Sequence, residues 1–132
     1  MLNKTINKIR YLYKIKNVYK IRKEFKQMQK LIFYIGTNDK DTYKKELDDK
    51  TFLAVIDTCF NNYTLETVAG VYTMQDGSEK RIQEKTFKVT VLNTDKDWTE
   101  SKINNICKFL KNMLNQESIA VEIHNNVSIS FI

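Results

Sequence analysis

Proline is absent from this chain of 132 residues, and glycine occurs only three times. The scarcity of both residue types argues against flexible linkers and low-complexity tracts, so one folded domain is expected. Histidine occurs once, at His124, which excludes a metal site built from several histidines. The longest apolar runs fall far short of the roughly 18 residues that a membrane-spanning helix needs, so no transmembrane segment is expected.

The two cysteines, Cys59 and Cys107, fall on apolar faces of predicted helices. Their spacing matches no zinc-binding or redox motif, so we interpret them as small buried hydrophobic side chains. A single disulfide stays an open alternative, but a reduced, cytoplasmic setting is favoured. The N-terminus also lacks the apolar segment of a secretory signal. No metal ion and no cofactor are predicted.

Positive charge is concentrated at the N-terminus. Residues 1–30 carry ten basic side chains and one acidic side chain, whereas residues 31–132 carry twelve basic and fifteen acidic ones. Apolar residues recur in the first segment at spacings of three and four, which predicts an amphipathic helix. The chain is therefore divided into a basic helical arm, residues 1–30, and an α+β domain, residues 31–132.

The basic arm suits four different interpretations. Lysines interleaved with tyrosines suit a nucleic acid, and the same pattern suits an anionic membrane surface. The arm equally suits an acidic protein partner or a second copy, or it lies on its own sheet with the lysines facing water. The candidate contacts to a nucleic acid or protein partner are Lys8, Arg10, Lys14, Lys16, Lys20, Arg22 and Lys23.

Hydrophobic periodicity gives the elements of the domain. Continuous or alternating apolar residues predict strands, and apolar spacings of three and four predict helices. Asp48 or Asp49 is placed to cap the first helix, and Asp97 with Glu100 has the spacing of a capping box for the second. The predicted elements are a strand over 31–35, a helix up to Phe60, strands over 67–74 and 80–92, a helix up to Leu114, and strands over 119–123 and 127–132.

Two residue pairs predict tight turns. Asp76-Gly77 is a hairpin signal between the second and third strands, and Asn125-Asn126 suits a turn into a short closing strand. The order β-α-β-β-α-β is that of a ferredoxin-like fold, here with an extra C-terminal strand. Two helices would cover one sheet face and leave the other open, so a homodimer, the arm or a ligand is expected to cover that face.

Short motifs within residues 31–132 resemble a bacterial family classed as a domain of unknown function. Its members open with a strand like Leu-Tyr-Phe-Gly, carry a glycine-aromatic strand before an Asp-Gly turn, and close on Gln-Glu-Ser-Val. The matching segments are 32–36 (with one inserted residue, Ile35), Gly70-Val71-Tyr72, Asp76-Gly77, Glu84 and 116–119. The resemblance implies no activity that transfers to this chain.

Carboxylates are predicted to meet at one end of the sheet. In the ferredoxin-like strand order the end of the first strand adjoins the starts of the third and fourth, which brings Gly36 near Glu84 and Gln116-Glu117. Glu84 and Glu117 would then lie about 10 Å apart. That separation suits acid–base work through a water, or a divalent cation held together with Asp39. The alternative is that Glu117 only caps chain ends and Glu84 is a solvated edge residue.

A second group of polar residues is predicted to share the open sheet face. Tyr34, Thr90, Glu122 and His124 occupy strand positions of the same parity. Such a group is able to bind a polar ligand or perform acid–base chemistry, although a lone strand histidine is more often simply exposed. The predicted ligand-binding set is Tyr34, Gly36, Thr90, Gln116 and Glu122, and His124 is a weak catalytic candidate.

No catalytic motif decides the function. The leading hypothesis is a small non-enzymatic binding module that uses the open sheet face or the arm. The alternatives are a small enzyme using Glu84, Glu117 and possibly His124, and a nucleic-acid binder using the arm. The abundance of Lys, Asn and Ile indicates an AT-rich genome, such as that of a low-GC bacterium or its mobile elements.

Overall fold

A computed structural model gives the structure of Lys8, residues 26–93 and residues 97–132. Within these residues neither helix is long and apolar enough to cross a membrane. The helices and strands, in chain order, are β1 (Lys26–Gly36), α1 (Asp49–Cys59), β2 (Thr64–Thr73), β3 (Arg81–Asn93), α2 (Glu100–Leu114) and β4 (Ala120–Ile129).

The four strands form one antiparallel sheet in the order β2-β3-β1-β4. Strand β1 is central and pairs with β3 on one side and with β4 on the other. This is the strand order predicted from the element pattern, so the ferredoxin-like α+β arrangement is confirmed. The order also confirms that the end of β1 adjoins the start of β3.

Alternate side chains of β1 form the centre of the core, beneath the two helices. Leu31, Phe33 and Ile35 are fully buried there, as strand alternation requires. The Phe33 and Phe60 rings lie 5.0 Å apart between centroids. Each fully buried side chain of this size contributes about 1.5–3 kcal/mol. The other buried members of the core are Phe52, Ile56, Phe87, Val89, Val91, Ile103, Leu110 and Leu114.

The two helix N-termini are capped by different residue types. Asp48 Oδ1 accepts a hydrogen bond from Thr51 N at 2.8 Å, which confirms the predicted cap of α1. Helix α2 is capped by Thr99, whose hydroxyl accepts from Lys102 N, so the predicted capping box starting at Asp97 is wrong. Tertiary contacts decide the boundary, because the backbone of Trp98 is bonded to the Gln29 side chain outside the helix.

Strand β1 begins five residues before the predicted strand, at Lys26. Met28 and Gln29 are buried in the sheet, so residues 26–30 belong to the domain and the predicted helical arm is wrong there. The charge pattern misled because a lysine reaches solvent equally well from a strand and from a helix. Except for the exposed Lys8, the rest of the predicted arm lies outside the described residues and stays a prediction.

Strand β4 runs without a break from Ala120 to Ile129, so the predicted turn and extra C-terminal strand are wrong. The pairing with β1 shifts by one residue, so that Asn125 and Asn126 together oppose Gln29. Asn126 has a φ of 58°, the left-handed conformation that both tight turns and β-bulges use. The Asn-Asn signal therefore marks a bulge inside one strand.

The β2–β3 hairpin forms where the Asp-Gly signal predicted it. Gly77 has a φ of 84°, which a residue with a side chain rarely adopts, and Met74 N donates to Lys80 O at 2.8 Å. Strand β2 begins at Thr64, three residues before the predicted start. The hairpin thereby fixes the register that places Gly70 opposite Glu84.

The buried Gln29 side chain ties the bulged end of β1 to the segment that leads into α2. Its Oε1 atom accepts hydrogen bonds from Asn93 Nδ2 at 2.7 Å and from Trp98 N at 2.9 Å. Gln29 is only 3% exposed, so water does not replace these bonds if the side chain is lost. A buried donor left without a partner costs about 1–3 kcal/mol.

Replacing Gln29 by Met should lower the free energy of unfolding by about 2 kcal/mol, because two donors lose their acceptor while the side-chain volume stays similar. Urea unfolding followed by circular dichroism measures the change. The matched control is Gln27→Met, since Gln27 lies on the same strand but is exposed, and its side-chain amide donates to Ser128 Oγ at the surface. Equal midpoints for the two variants would contradict the structural role of Gln29.

Candidate functional site

Glu84 lies on the open face, which we define as the sheet surface away from the helices. It pairs with Gly70 of β2, and its carboxylate lies over Gly36, the last residue of β1. A methyl group at position 36 would be 2.3 Å from Glu84 Oε1, far inside contact distance. The missing side chain of Gly36 therefore leaves the room that the carboxylate occupies.

The chain that follows β1 holds this carboxylate in place. Thr37 is 1% exposed, and both its backbone N–H and its hydroxyl donate to Lys85 O, at 3.1 and 2.7 Å. Because Thr37 is fixed in this way, the next backbone N–H, that of Asn38, is available to Glu84 and donates to Oε2 at 2.8 Å. Backbone geometry alone thus orients the carboxylate.

A pocket opens beside the carboxylate of Glu84, where three segments of the chain converge. The loop after β1, the β2–β3 hairpin and the connection from α2 to β4 each contribute a group of residues. The pocket is lined by Asn38, Asp39, Lys40, Tyr43, Tyr72, Thr73, Gln75, Glu84, Gln116, Glu117 and Ser118. We call this the Glu84 pocket.

The loop after β1 has a fixed internal structure. Asp39 Oδ1 accepts from the backbone N–H groups of Asp41 and Thr42, at 2.9 and 3.2 Å, and Asp39 O accepts from Tyr43 N at 2.9 Å. The side-chain amide of Asn115, followed by these turn bonds, holds the pKa of Asp39 below its usual value. Asp39 is therefore an ionised turn residue with its oxygens already bonded.

Gln116 holds the pocket from the opposite side. It is 7% exposed, and its side-chain amide donates to Asn38 O at 2.9 Å and to Leu114 O at 3.1 Å. The backbone of Asn38 is consequently fixed twice, by Glu84 at its N–H and by Gln116 at its carbonyl. The buried Gln116 side chain thus connects the loop to the segment that leads into β4.

Burial raises the pKa of Glu84, and the single hydrogen bond from Asn38 N offsets this only in part. In the described residues, every other carboxyl group whose pKa departs from its usual value has a lowered pKa. A half-buried carboxylate with a raised pKa at the wall of a pocket is characteristic of functional sites. The Glu84 carboxylate itself is therefore partly desolvated.

A second polar group lies further along the open face. The Tyr34 hydroxyl donates to Glu122 Oε1 at 2.5 Å, and His124 Nε2 lies 3.0 Å from Glu122 Oε2. The bond to Glu122 raises the pKa of Tyr34, and the same bond lowers the pKa of Glu122. These three residues form a chain of hydrogen bonds that is exposed and that does not line the Glu84 pocket.

The structure brings together some of the residues predicted to form a site and separates others. Glu84, Gln116 and Glu117 share one pocket, and Gly36 lies beneath the carboxylate. Thr90 lies instead beside Met28 and Tyr63 in a different cavity. The six arm residues other than Lys8 that were predicted to bind a partner lie outside the described residues.

The sequence offered a divalent cation held with Asp39 only as one possible use of these carboxylates, and the described residues do not provide ligands for it. Within the described residues no group of three or more His, Cys, Asp or Glu side chains is placed to hold a metal ion. Asp39 Oδ2 is bonded to the Asn115 amide at 2.6 Å, so this carboxylate is occupied by protein donors.

Sequence reasoning missed the two tyrosines of the pocket. Tyr72 has a local signal, because it lies two residues after Gly70 in β2 and hence on the same sheet face as Glu84. No sequence signal predicts that Tyr43 lies in the pocket, since its position depends on the conformation of an irregular loop. The hydrogen-bonding role of Asn115, which lies just outside the lining, also depends on that loop.

The comparisons with solved structures identify a shared fold. A phage SAM lyase in complex with S-methyl-5′-thioadenosine is 23% identical, with a TM-score of 0.54, over 80% of this chain and 90% of that chain. The same type of enzyme in the apo state is 20% identical, with a TM-score of 0.56, over the same shares. CutA from Synechococcus elongatus is 11% identical, with a TM-score of 0.47, over 81% and 83%. No protein-family model and no curated protein matches the sequence.

The leading functional hypothesis from the sequence, a non-enzymatic binding module, is corrected by these comparisons. Two of the similar solved structures, each with a TM-score above 0.5, are those of an enzyme. The hypothesis rested on the lack of a catalytic motif, but a pocket assembled from three separate segments leaves no contiguous motif in the sequence. The resemblance to a domain family of unknown function and the expected homodimer stay predictions.

Replacing Glu84 by Gln should stabilise the protein at neutral pH. Burial raises the pKa of Glu84 in the folded protein above its value in the unfolded chain, which is about 4.3. The protonated carboxyl group therefore contributes its full stability below that pH, and this stability is lost as the pH rises through the raised pKa. Urea midpoints should therefore be higher for the variant at about pH 7.5 and converge at about pH 4.

The matched control is Glu66→Gln, on the same sheet face. Glu66 Oε1 lies in solvent 3.9 Å from Lys88 Nζ, so its loss should leave the midpoint at pH 7.5 unchanged or slightly lower. A Glu84→Gln protein that is no more stable than the wild type at this pH would contradict the desolvation of Glu84.

Replacing Gly36 by Ala should push the Glu84 carboxylate away from Asn38 and into water. The pKa of Glu84 should then return towards its usual value, which carbon-detected NMR titration of the side-chain carboxyl measures. In the control Gly70→Ala the new methyl group would meet Thr86 Oγ1 at 3.1 Å and not the carboxylate, so the pKa should stay raised. The same Glu84 pKa in both variants would show that Gly36 does not create the space.

Proposed function

We propose that this protein is an enzyme that binds S-adenosylmethionine in the Glu84 pocket and cleaves it to S-methyl-5′-thioadenosine. The observation that carries the proposal is the half-buried Glu84 carboxylate, fixed by backbone groups at the wall of a pocket that also holds Glu117. The fold shared with a phage SAM lyase over 80% of this chain supports it. This is the enzymatic alternative that the sequence left open, now with a substrate class.

The charge of the pocket suits the substrate. S-adenosylmethionine carries a sulfonium and an ammonium group, and the lining contains three carboxylates, Asp39, Glu84 and Glu117, against one cation, Lys40. Asp39 is already bonded within its turn, which leaves Glu84 and Glu117 for the substrate. A pocket of net negative charge attracts a cationic ligand and disfavours anionic nucleotides.

The nucleoside part of the substrate has matching partners. Tyr43 and Tyr72 line the pocket from two different segments of the chain, and an adenine ring stacks favourably on tyrosine. The side-chain amides of Asn38 and Gln75 provide donors and acceptors for the base or the ribose. The lining thus contains both aromatic and acidic side chains, which suit the two halves of S-adenosylmethionine.

The reaction needs no protein nucleophile. Release of S-methyl-5′-thioadenosine breaks the bond from sulfur to the γ-carbon of the amino acid, and the electron pair stays on sulfur as a neutral thioether. In the step that we propose, the substrate's own carboxylate oxygen forms the new bond to that carbon, which closes a lactone and consumes neither water nor a proton. The protein's task is to fold the substrate so that oxygen and carbon meet.

Binding in the pocket also shields the reacting groups from part of the bulk water, which assists this step. The sulfonium and the substrate carboxylate neutralise each other in the transition state, and charges that merge do so faster where water is excluded. The substrate ammonium keeps its charge throughout, so Glu84 and Glu117 serve best as its partners. In this role they orient the amino acid half and do not neutralise the sulfonium, which would oppose the reaction.

Purified full-length protein incubated with S-adenosylmethionine should release S-methyl-5′-thioadenosine and homoserine lactone, detected by liquid chromatography and mass spectrometry. Glu84→Gln and Glu117→Gln should each reduce kcat/KM about 100-fold or more, the usual effect of losing one preorganised electrostatic contact. Because Glu84→Gln is expected to be more stable than the wild type, its loss of activity would not reflect unfolding.

Glu66→Gln is again the control, since it removes a carboxylate from the same sheet face outside the pocket and should keep full activity. The proposal is wrong if the wild type releases no more S-methyl-5′-thioadenosine than buffer does. It is also wrong if Glu66→Gln loses as much activity as Glu84→Gln.

A further inference from the structure

Asn115 makes an unusual set of contacts at the end of α2. It adopts a left-handed conformation, with φ 47° and ψ 52°, and its backbone N–H bonds back to Lys111 O. Its side-chain amide donates to Asp39 Oδ2 at 2.6 Å and to Asp41 Oδ2 at 3.0 Å. The backbone carbonyl of Asn115 accepts from Lys40 N at 3.0 Å. We call these three bonds the loop clamp.

The loop clamp depends on the amide of Asn115. Glycine is the residue that most often ends a helix in this conformation, and it would provide no side-chain donor. Asp39 and Asp41 both direct a carboxylate oxygen to the same amide nitrogen, so this one neutral group holds two negative charges together. A residue without a donor at position 115 would leave the two carboxylates to repel each other.

The clamped loop also forms part of the wall of the Glu84 pocket. It supplies Asn38, Lys40 and Tyr43 to the lining, and the backbone N–H of Asn38 is the hydrogen-bond donor to Glu84. Asn115 itself is not part of the lining. A change in its contacts would therefore reach the pocket through the position of the loop.

We propose that Asn115 is a positioning residue that sets the affinity for the substrate by holding the loop closed against the Glu84 pocket. This inference rests on the proposed function, because it concerns the same pocket. It separates two tasks within that pocket: Glu84 and Glu117 contact the substrate, whereas Asn115 fixes the loop and touches only protein.

The first test measures KM and kcat for S-adenosylmethionine in Asn115→Gly and Asn115→Asp. Glycine keeps the left-handed backbone without strain and removes only the amide. Both variants should raise KM about tenfold, the equivalent of roughly one lost hydrogen bond, while kcat stays within about twofold. A general loss of structure would instead lower kcat or the amount of active enzyme.

The second test uses pH. An aspartate at position 115 donates to Asp39 only while it is protonated, and two neighbouring carboxylates should raise its pKa. The KM of Asn115→Asp should therefore increase as the pH rises from about 5 to about 8, while the ratio of the KM of Asn115→Gly to that of the wild type stays constant. A merely structural role predicts no such difference between the variants.

The third test exchanges the two partners. In the double variant Asp39→Asn with Asn115→Asp, the amide at 39 donates to the carboxylate at 115, while its oxygen still accepts from the backbone of Asp41. The double variant should have a lower KM than Asn115→Asp alone. On a logarithmic scale, this decrease should be at least half of the increase that Asn115→Asp causes. No recovery would overturn the clamp as the cause.

The outcomes separate this inference from the proposed function. If the wild type cleaves S-adenosylmethionine but Asn115→Gly keeps its KM within twofold, the inference is wrong and the proposed function stands. If the wild type is inactive, both the proposed function and the inference about Asn115 are wrong. Hydrogen exchange then decides whether the clamp exists at all, since the Lys40 amide should exchange faster in Asn115→Gly than in the wild type.

Discussion

The contact between the Glu84 carboxylate and the end of β1 is the constraint on which the proposed site depends. Gly36 gives it space, Asn38 gives it a backbone donor, and neither contribution involves a flexible side chain. A carboxylate fixed in this way is already oriented before a ligand arrives, so binding loses little side-chain entropy. The cost is its partial desolvation, which raises the pKa of Glu84.

The hydrogen bonds around the Glu84 carboxylate connect three segments that are far apart in the chain. Gln116 and Asn115 come from the connection between α2 and β4, yet both bind the loop that follows β1. The sheet order makes this possible, because the end of β1 adjoins the starts of β3 and β4. A ferredoxin-like sheet with short connections thus gathers polar groups at one end, where a pocket forms between the loops.

Much of the fold was predictable because local patterns and the sheet agree. The alternation around Phe33 and the cap at Asp48 each follow from rules that act within a few residues. The errors arose where one signal serves two structures. Asn125-Asn126 prefers the left-handed conformation in a turn and in a bulge alike, and the pairing with β1 decided for the bulge.

The sequence by itself determined the order of the six strands and helices, though it added a seventh element, and it determined the hairpin at Gly77 and the placement of Glu84 and Glu117 at the same end of the sheet. These follow from periodicity, from backbone conformations that few residues adopt, and from the chain order of the ferredoxin-like fold. Only the tertiary structure decided that Tyr43 lines the pocket and that Asn115 clamps the loop. Both depend on an irregular loop, whose conformation is set by contacts some 75 residues away in the chain.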